Sequence, residues 1–348
     1  MHYLYLEHIK EAVKGSTIFT KINRTKNHIL PYFGKMKVHD ITSENIFSWK
    51  EIMNKAKYQN GKKLYSLAYK KGLLLELRTL LEYGVDFCGL KENVARKVCN
   101  FRKNIEAIDT GIKIRYITPL EYNLFTSVID KLLYKTFFAF LYYMGVRKGE
   151  AQALNWEDID FKKRKVRIIK TITNKTDELD ENGFKFKITN TKNGKNRNIK
   201  MPKVLKRLLL ELYQYYSEFI GFNNQWFVFG GRRHLPSQTI DDKKDYYFDL
   251  ANKTYETSIN RITNHEFRHS HASFLISKGV KIERIAFRLG DTIAVVQEVY
   301  AHLFPETEDE IIEELDLIEQ DCNINLYIKK EFCKTTQKLY PQFSVNGT

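Results

Sequence analysis

Between about residues 160 and 201, short β-type runs interrupt a chain whose other segments have helical periodicity. The runs read KRKVRIIKTI, FKFKITN and KNRNIKM, and all three contain β-branched residues. The stretches DENG and NTKNG, which separate them, end in the Asn-Gly pairs that favour tight hairpins. One three-stranded antiparallel sheet is therefore predicted inside a mainly α protein, which gives an α+β fold class with a small β component.

The helical segments before this sheet predict a first, all-helical domain. DITSENIFSWKEIM and SLAYKKGLLLELRTLLEYGV have the caps and apolar spacing of amphipathic helices, and the second is expected to end at Gly84. LPYFGK, at residues 30–35, is typical of a Pro/Gly turn. Helical periodicity is lost over 101–117, where an interdomain linker is expected. The predicted organisation is a helical domain at 1–107, a linker at 108–117, a second domain at 118–310, and a C-terminal helix and tail at 311–348.

The second domain opens on a helix-start motif. Thr118 is a typical N-cap residue, Pro119 suits the first helical position, and Glu121 completes a capping box. The largely apolar helix that follows is expected to end at Gly145. Its most apolar run, FFAFLYYMG, is far shorter than the roughly 20 residues that cross a bilayer. A membrane-spanning segment is therefore not expected.

The chain of 348 residues is strongly basic, with a formal net charge of +15. Lysine and arginine recur along its whole length rather than in one tail, so an extended polyanion is the natural partner. Nucleic acid is preferred to a membrane surface because no spanning segment is expected. The N-terminus lacks the apolar region and cleavage site of a secretion signal, which favours the cytoplasm.

Neither a metal nor a nucleotide cofactor is predicted. The four cysteines form no CxxC pair and no Cys/His cluster at metal-ligand spacing, so they are expected to be reduced thiols. The sequence contains no GxxxxGK[ST] phosphate loop and no carboxylate pair at the spacing of a two-metal nuclease.

Two helical stretches near the C-terminus hold side chains with catalytic potential. NHEFRHSHASFLISKG predicts a helix that is capped near Asn264, with His265 and Arg268 three residues apart on one face. DTIAVVQEVYAHLF predicts a second helix, and it includes Tyr300. The apolar stripe of that helix comprises Ile293, Val296, Tyr300 and Leu303. On local pattern alone, Tyr300 would be an ordinary core tyrosine.

Four motifs in a fixed order change that interpretation. They are MGVRKGEAQALNWEDIDF with Arg147, the hairpin with Lys192, HEFRH with His265 and Arg268, and VYAHL with Tyr300. In order and spacing they resemble the tyrosine recombinase family, and phage-type integrases within it. TKINRTKNHILPYFGKMKVHDITSENIFSWKEIM resembles the helical, SAM-like core-binding domain of integrases. The resemblance covers both domains and implies a two-domain clamp around duplex DNA.

The resemblance implies a catalytic set whose chemistry suits a phosphodiester. Arg147 and Arg268 would bind the non-bridging phosphate oxygens, since a guanidinium is planar, always charged and bidentate. Glu150 would orient Arg147, with a solvated helix carboxylate as the alternative for this residue. His265 would accept a proton from Tyr300, a phenol too weakly acidic to attack unaided at neutral pH. The product would be a 3′-phosphotyrosyl bond that needs no ATP to be resealed.

The predicted hairpin supplies the last member of the set. Lys192 matches the hairpin lysine of the family, which protonates the leaving 5′ oxygen; Arg197 follows five residues later, as in the family pattern. An ordinary phosphate contact by Lys192 is the alternative.

Asp291 departs from the family pattern. It stands in RLGD, where the family usually has a histidine or sometimes a tryptophan that donates to the phosphate. A carboxylate there would repel a phosphate unless it were protonated or turned toward an arginine such as Arg288. The core-binding pattern also begins almost at Met1, so binding to distal arm sites through a preceding domain is left open.

The resulting hypothesis is a site-specific DNA recombinase that integrates or excises a phage or other mobile element. The working assembly implied is a homotetramer on two double-stranded DNA attachment sites, with a host DNA-bending protein and an excisionase as accessory partners. A type IB topoisomerase-like nicking-closing enzyme is one alternative. A catalytically weak or inactive DNA-binding relative is the other, and Asp291 is the feature that favours it.

Overall fold

The computed structural model describes residues 1–57, 64–102, 115–176, 185–191, 194 and 196–301. Several predicted features lie outside these ranges: Lys192, the DENG turn, most of the 108–117 linker, Leu303 and the 311–348 segment. Within the described residues no helix is long and apolar enough to cross a membrane. The predicted mainly α fold with small antiparallel sheets is confirmed.

The N-terminal region is all-helical, as predicted. Its helices are α1 (His2–Ile9), α2 (Gly15–Arg24), α3 (Leu30–Phe33), α4 (Ser43–Lys55) and α5 (Leu67–Phe87), with a π-helical turn at Thr25–Ile29 and 3-10 turns at Val38–Asp40 and Val94–Arg96.

Side-chain caps start the two longest of these helices. Thr42 caps α4 in a capping box with Asn45, and Ser66 accepts a hydrogen bond from the backbone N–H of Tyr69 in α5. Both helices contribute to an apolar core, in which Trp49 is fully buried and its indole N–H donates to the carbonyl of His28 at 2.9 Å.

Two expectations for this region were wrong. Residues 30–33 of the expected turn are helical instead, since they form α3 directly after the π-helical turn at Thr25–Ile29, and the turn itself is confined to Gly34 and Lys35. Gly84 does not end α5, which continues to Phe87. Gly84 is a packing residue, because a Cβ there would lie 2.8 Å from the sulfur of Met1.

The second region combines helices with two small sheets. Its helices are α6 (Pro119–Ser127), α7 (Leu132–Met144), α8 (Lys148–Gln152), α9 (Lys203–Ser217), α10 (Ser237–Thr254), α11 (Glu266–Ile276), α12 (Ile282–Leu289) and α13 (Ile293–Tyr300). Its strands are β1 (Ile159–Asp160), β2 (Lys165–Ile168), β3 (Lys170–Thr173), β4 (Lys187–Asn190) and β5 (Arg197–Lys200). A 3-10 turn at Trp156–Asp158 precedes β1.

The strands form two antiparallel sheets rather than the single one predicted. β1, β2 and β5 pair in that order, with Val166 opposite both Ile159 and Ile199, whereas β3 pairs only with β4. The run KRKVRIIKTI predicts one strand because it contains no turn residue. In the structure it divides at Ile169 into β2, whose alternate side chains enter the core, and β3, which forms a separate hairpin with β4.

Two apolar cores are present among the described residues. One is built from residues between Tyr5 and Phe101, and the other from residues between Ile117 and Phe267, including the apolar face of α7. By compactness the chain divides differently, into one unit of Met1–Ala272 with Phe287–Gly290, and a second of Ser273–Ala286 with the residues from Asp291 onward. The domain boundaries predicted from the sequence stay a prediction.

Candidate active site

The end of α7 sets the direction of the chain into the candidate site. Gly145 ends the helix as predicted, with a left-handed φ of +64°. A Cβ at this position would lie 2.5 Å from Cδ2 of His271, so a side chain is excluded by contact as well as by backbone strain. Two residues later, Arg147 lies at the N-cap of α8.

Arg147 shares one buried carboxylate with a second arginine. Its backbone N–H and its Nη1 donate to Glu150 at 3.0 and 3.2 Å, while Arg197 donates from Nη2 at 2.6 Å and from Nη1 at 3.2 Å. Glu150 is 1% exposed and Arg197 is 4% exposed. Burial acts to raise the pKa of Glu150, but the guanidiniums of Arg197 and Arg147 hold that pKa below its ordinary value.

Arg268 is fixed against the same turn. It projects from α11, is 2% exposed, and its Nη1 donates to the carbonyls of Gly145 at 2.9 Å and Leu289 at 2.7 Å. The structure therefore brings four side chains together around residues 145–150. They are the predicted Arg147, Glu150 and Arg268, together with Arg197.

A further pair of side chains, His271 and Arg288, was not identified as a site element from the sequence. His271 Nδ1 donates to the carbonyl of Tyr142 at 2.8 Å, and Nε2 accepts from Arg288 Nε at 2.9 Å. Arg288 also donates to the carbonyls of Tyr143 at 2.8 Å and Lys200 at 3.2 Å. Burial, reinforced by Arg288, lowers the pKa of His271 to about 3, so the ring is neutral.

These contacts complete the C-terminal end of α7. The last carbonyls of a helix have no partners within it, and here His271, Arg288 and Arg268 donate to the carbonyls of Tyr142, Tyr143 and Gly145 respectively. One signal in the sequence could have suggested part of this arrangement. His271 follows Arg268 by three residues, so both lie on one face of α11.

His265 lies at the start of the helix that contains Arg268. The cap predicted near Asn264 is provided by Thr263, whose hydroxyl accepts from the backbone N–H of Glu266 while the Glu266 carboxylate accepts from the N–H of Thr263. His265 itself is exposed, and its ring meets that of His269 edge-on with centroids 4.8 Å apart. Burial, followed by the charges of His265 and Arg268, lowers the pKa of His269 to about 4.

Tyr300 ends α13 in the second compact unit. The hydroxyl of Thr292 caps this helix, as it accepts from the N–H of Val295 at 3.3 Å. Val296 and Tyr300 are buried, at 1% and 3% exposure, but Ile293 is 42% exposed. Of the predicted stripe, Val296 and Tyr300 are therefore buried and Ile293 is not.

Asp291 is partly buried in the same unit, and its N–H donates to the carbonyl of Ala286 at 3.1 Å. Among the described residues no group of three His, Cys, Asp or Glu side chains is placed to hold a metal ion.

Comparison with protein families assigns both parts of the chain. Residues 115–307 match the model of the phage integrase family, and residues 1–53 match the model of the phage integrase N-terminal SAM-like domain.

Two proteins of similar sequence are named as an integrase and as a tyrosine recombinase. The ICEBs1 integrase of Bacillus subtilis strain 168 is 28% identical over 296 residues, which is 83% of this chain and 74% of that protein. A protein named tyrosine recombinase XerC-like, from Caldanaerobacter subterraneus subsp. tengcongensis, is 27% identical over 345 residues, which is 91% of this chain and 81% of that protein.

Solved structures share the fold. The Tn1549 transposon integrase in complex with transposon right end DNA has a TM-score of 0.70 at 18% identity, covering 91% of this chain and 98% of that one. A lambda integrase tetramer bound to a Holliday junction has a TM-score of 0.57 at 15% identity, covering 83% and 77%.

Proposed function

The chain belongs to the phage integrase family of tyrosine recombinases, and we propose on that premise that Tyr300 is the nucleophile with which it cleaves and rejoins DNA strands. In this proposal the enzyme integrates or excises a mobile element by forming a 3′-phosphotyrosyl bond. It acts on double-stranded DNA in the cytoplasm of a bacterial host.

The observation that best supports this proposal is the convergence of Arg147 and Arg268 on one turn. The guanidinium of Arg268 donates to the carbonyl of Gly145 and that of Arg147 donates to the carboxylate of Glu150, so both are held by groups within residues 145–150. Attack on a phosphodiester gathers negative charge on the two non-bridging oxygens. Fixed cations beside those oxygens stabilise the transition state without any reorganisation during the reaction.

The charge balance of the cluster agrees with an anionic ligand. Glu150 contributes one negative charge against the two positive charges of Arg147 and Arg197, so these three residues together have a net charge of +1. Glu150 therefore orients Arg147 without cancelling the positive field at the site. A buried carboxylate that accepts hydrogen bonds from two guanidinium groups also restricts the rotamers of both arginines.

The proposed proton transfers involve two more residues. His265, which is exposed at the start of α11, accepts the phenolic proton of Tyr300 as the Tyr300 oxygen attacks phosphorus. Lys192 delivers a proton to the 5′ oxygen as its bond to phosphorus breaks. Because the new phosphotyrosyl bond retains the diester linkage, attack by a 5′ hydroxyl reverses each step and reseals the strand without another energy source.

We further propose that four copies of the chain act together on two attachment sites. The lambda integrase tetramer bound to a Holliday junction is the relevant precedent in the same fold. A host DNA-bending protein and an excisionase are the accessory partners proposed with this assembly.

The test is trapping of the covalent intermediate. A nicked duplex that spans the end of the mobile element encoding this protein should lose a short fragment after cleavage, which prevents resealing. The wild-type protein is expected to give a protein–DNA adduct on a denaturing gel, and Tyr300→Phe is expected to give none. Tyr255→Phe is a matched control, since Tyr255 is 44% exposed and its hydroxyl bonds only to Ser127 among the described residues.

Asp291 favours one alternative function, a DNA-binding relative without strand transferase activity. Under that alternative the wild-type protein would bind the duplex and give no adduct. If an adduct persisted in Tyr300→Phe, the enzyme class would stand but the nucleophile would be another residue. Relaxation of a supercoiled plasmid that lacks any attachment site would instead indicate a topoisomerase-like activity.

A further inference from the structure

Asp241, on α10, joins two turns that are distant in the sequence. Its Oδ2 lies 3.2 Å from Nζ of Lys148 and its Oδ1 lies 3.5 Å from the same nitrogen. The side-chain amide of Asn264 donates to Oδ1 of the same carboxylate. One carboxylate therefore holds a side chain from the start of α8 and another from the segment that enters α11.

The two partners of Asp241 are direct neighbours of proposed catalytic residues. Lys148 follows Arg147, and Asn264 precedes His265. The backbone around His265 is already restrained on its other side by the reciprocal Thr263–Glu266 cap. The bond from Asn264 to Asp241 then links that capped turn to the turn that contains Arg147.

The side chain of Asn264 is buried and makes one described hydrogen bond, to Asp241. Asn264 is 5% exposed, and its Oδ1 has no hydrogen-bond partner among the described residues. A buried amide oxygen without a partner costs free energy, so such a group in a folded protein requires an explanation. The described interaction that this cost accompanies is the bond from Nδ2 to Asp241.

The ion pair on the other side of Asp241 also contributes little to folding. The side chains of Lys148 and Asp241 are 28% and 42% exposed, and ion pairs open to solvent are weak. The partly exposed ion pair therefore contributes little, while the hydrogen bond from Asn264 to the carboxylate offsets part of the cost of the buried Oδ1. The two contacts of Asp241 fix the distance between the turn that contains Arg147 and the turn that contains His265.

We propose that Asp241 is a positioning residue, which acts through Lys148 and Asn264 to fix Arg147 and His265 relative to each other for strand cleavage. The inference rests on the proposed function. Asp241 does not contact DNA or exchange a proton in this scheme. Its loss would leave DNA binding intact and would lower the rate at which the bound strand is cleaved.

The test compares variants in single-turnover cleavage of the nicked duplex, with the dissociation constant for DNA and the melting temperature measured in parallel. Asp241→Ala is expected to slow cleavage about 10- to 100-fold, the size of effect that a misplacement near 1 Å produces. The dissociation constant is expected to change less than about twofold, because Asp241 makes no phosphate contact. Asp242→Ala is the matched control, since Asp242 is the next residue of α10, is exposed, and pairs only with Gln238 among the described residues.

Two further variants separate positioning from folding. Asp241→Asn is expected to recover much of the rate, because its amide can donate to the unpaired Oδ1 of Asn264 and still accept from Lys148. Asn264→Ala is expected to slow cleavage as Asp241→Ala does, and its melting temperature separates this loss of rate from a loss of folding, because the assay is run where each variant is folded. The double variant that combines Asp241→Ala with Asn264→Ala should be no slower than Asp241→Ala alone.

Wild-type cleavage rates in both Asp241→Ala and Asn264→Ala would overturn the proposal, as would fully additive losses in the double variant. Equal losses in Asp241→Ala and Asp242→Ala would overturn it too, since they would reflect the charge of α10 and not a specific link. If the wild-type protein formed no adduct, the proposed function would fail instead, and the same gel shows which has occurred.

Discussion

Individual side chains in the site differ in how far the sequence could identify them. Arg147, His265 and Arg268 could be selected because their spacing on helices and their order along the chain are visible in the sequence. The spacing of His271 from Arg268 is visible too, but the pairing of His271 with Arg288 is not, because their other partners are backbone carbonyls of α7 and β5. Every residue has a backbone carbonyl, and only the tertiary packing determines which carbonyls accept hydrogen bonds from these two side chains.

Replacement of Glu150 by glutamine should destabilise the fold while it retains the shape of the side chain. The change leaves Arg197, 4% exposed, without its carboxylate, and breaking a buried pair from one side costs roughly 3 kcal/mol or more. Urea unfolding measures the loss, with Glu157→Gln as the control because Glu157 is an exposed carboxylate of the next turn. Equal stability of the two variants would show that the pair contributes nothing.

The buried ring of His271 predicts a loss of stability in mild acid. Its pKa in the folded protein is about 3, whereas an unfolded histidine titrates near 6.5. Below about pH 6.5 the unfolded state therefore binds a proton that the folded state does not, and the free energy of unfolding decreases until the pH reaches the folded pKa.

Between pH 7 and pH 5 this group should remove about 2 kcal/mol from the wild-type free energy of unfolding and nothing from that of His271→Gln. Urea titrations at both pH values, carried out on both proteins, measure the difference. Parallel pH dependence in the two proteins would contradict a neutral His271. Nitrogen NMR should also detect the proton on Nδ1.

Secondary-structure elements were predictable where local chemistry determines them. The capping box of Thr118 and Glu121 and the glycine stop at Gly145 are both confirmed. The extension of α5 through Gly84 and the division of the β-region into two sheets were missed. Both depend on neighbours that are distant in the sequence: Met1 packs on Gly84, and β2 pairs with β5 rather than continuing into β3.

Substitution of Gly145 by alanine should separate contact from backbone strain at the end of α7. Gly89 has a similar φ of +71°, and a Cβ at that position would have nothing within 4 Å, so Gly89→Ala reports the strain alone, about 1 kcal/mol. Gly145→Ala adds the clash with His271 and should cost at least about 2 kcal/mol more. Chemical denaturation measures the free energy of unfolding of both variants. Equal losses would show that α11, which contains His271, shifts without a cost in stability.

At the scale of the whole molecule, charge predicts the class of partner and motif order predicts the family. The net charge of +15 is distributed along the chain, and the two apolar cores are built from separate stretches of it. The composition could not predict which exposed residues bind DNA, because the surface of each region depends on how elements that are distant in the sequence pack together.

DNA binding should weaken steeply as salt is raised. Each phosphate neutralised releases counterions and contributes about −0.9 to the slope of log K against log salt concentration. Arg147→Gln should reduce the magnitude of that slope by about one, because it removes one proposed phosphate contact. Fluorescence anisotropy across a salt series measures both values, and a flat dependence in the wild-type protein would contradict binding to the phosphate backbone.

Gly290 and Arg197 are distant in the sequence, but the residue at one position limits what the other position can accept. A Cβ at residue 290 would lie 2.7 Å from Nη1 of Arg197, the same guanidinium that holds Glu150. A lineage that retains arginine at 197 therefore cannot accept a side chain at 290 without displacing the partner of Glu150. Relatives that retain arginine at 197 are therefore expected to retain glycine at 290, both because a side chain there would displace the partner of Glu150 and because the φ of +70° strains any other residue.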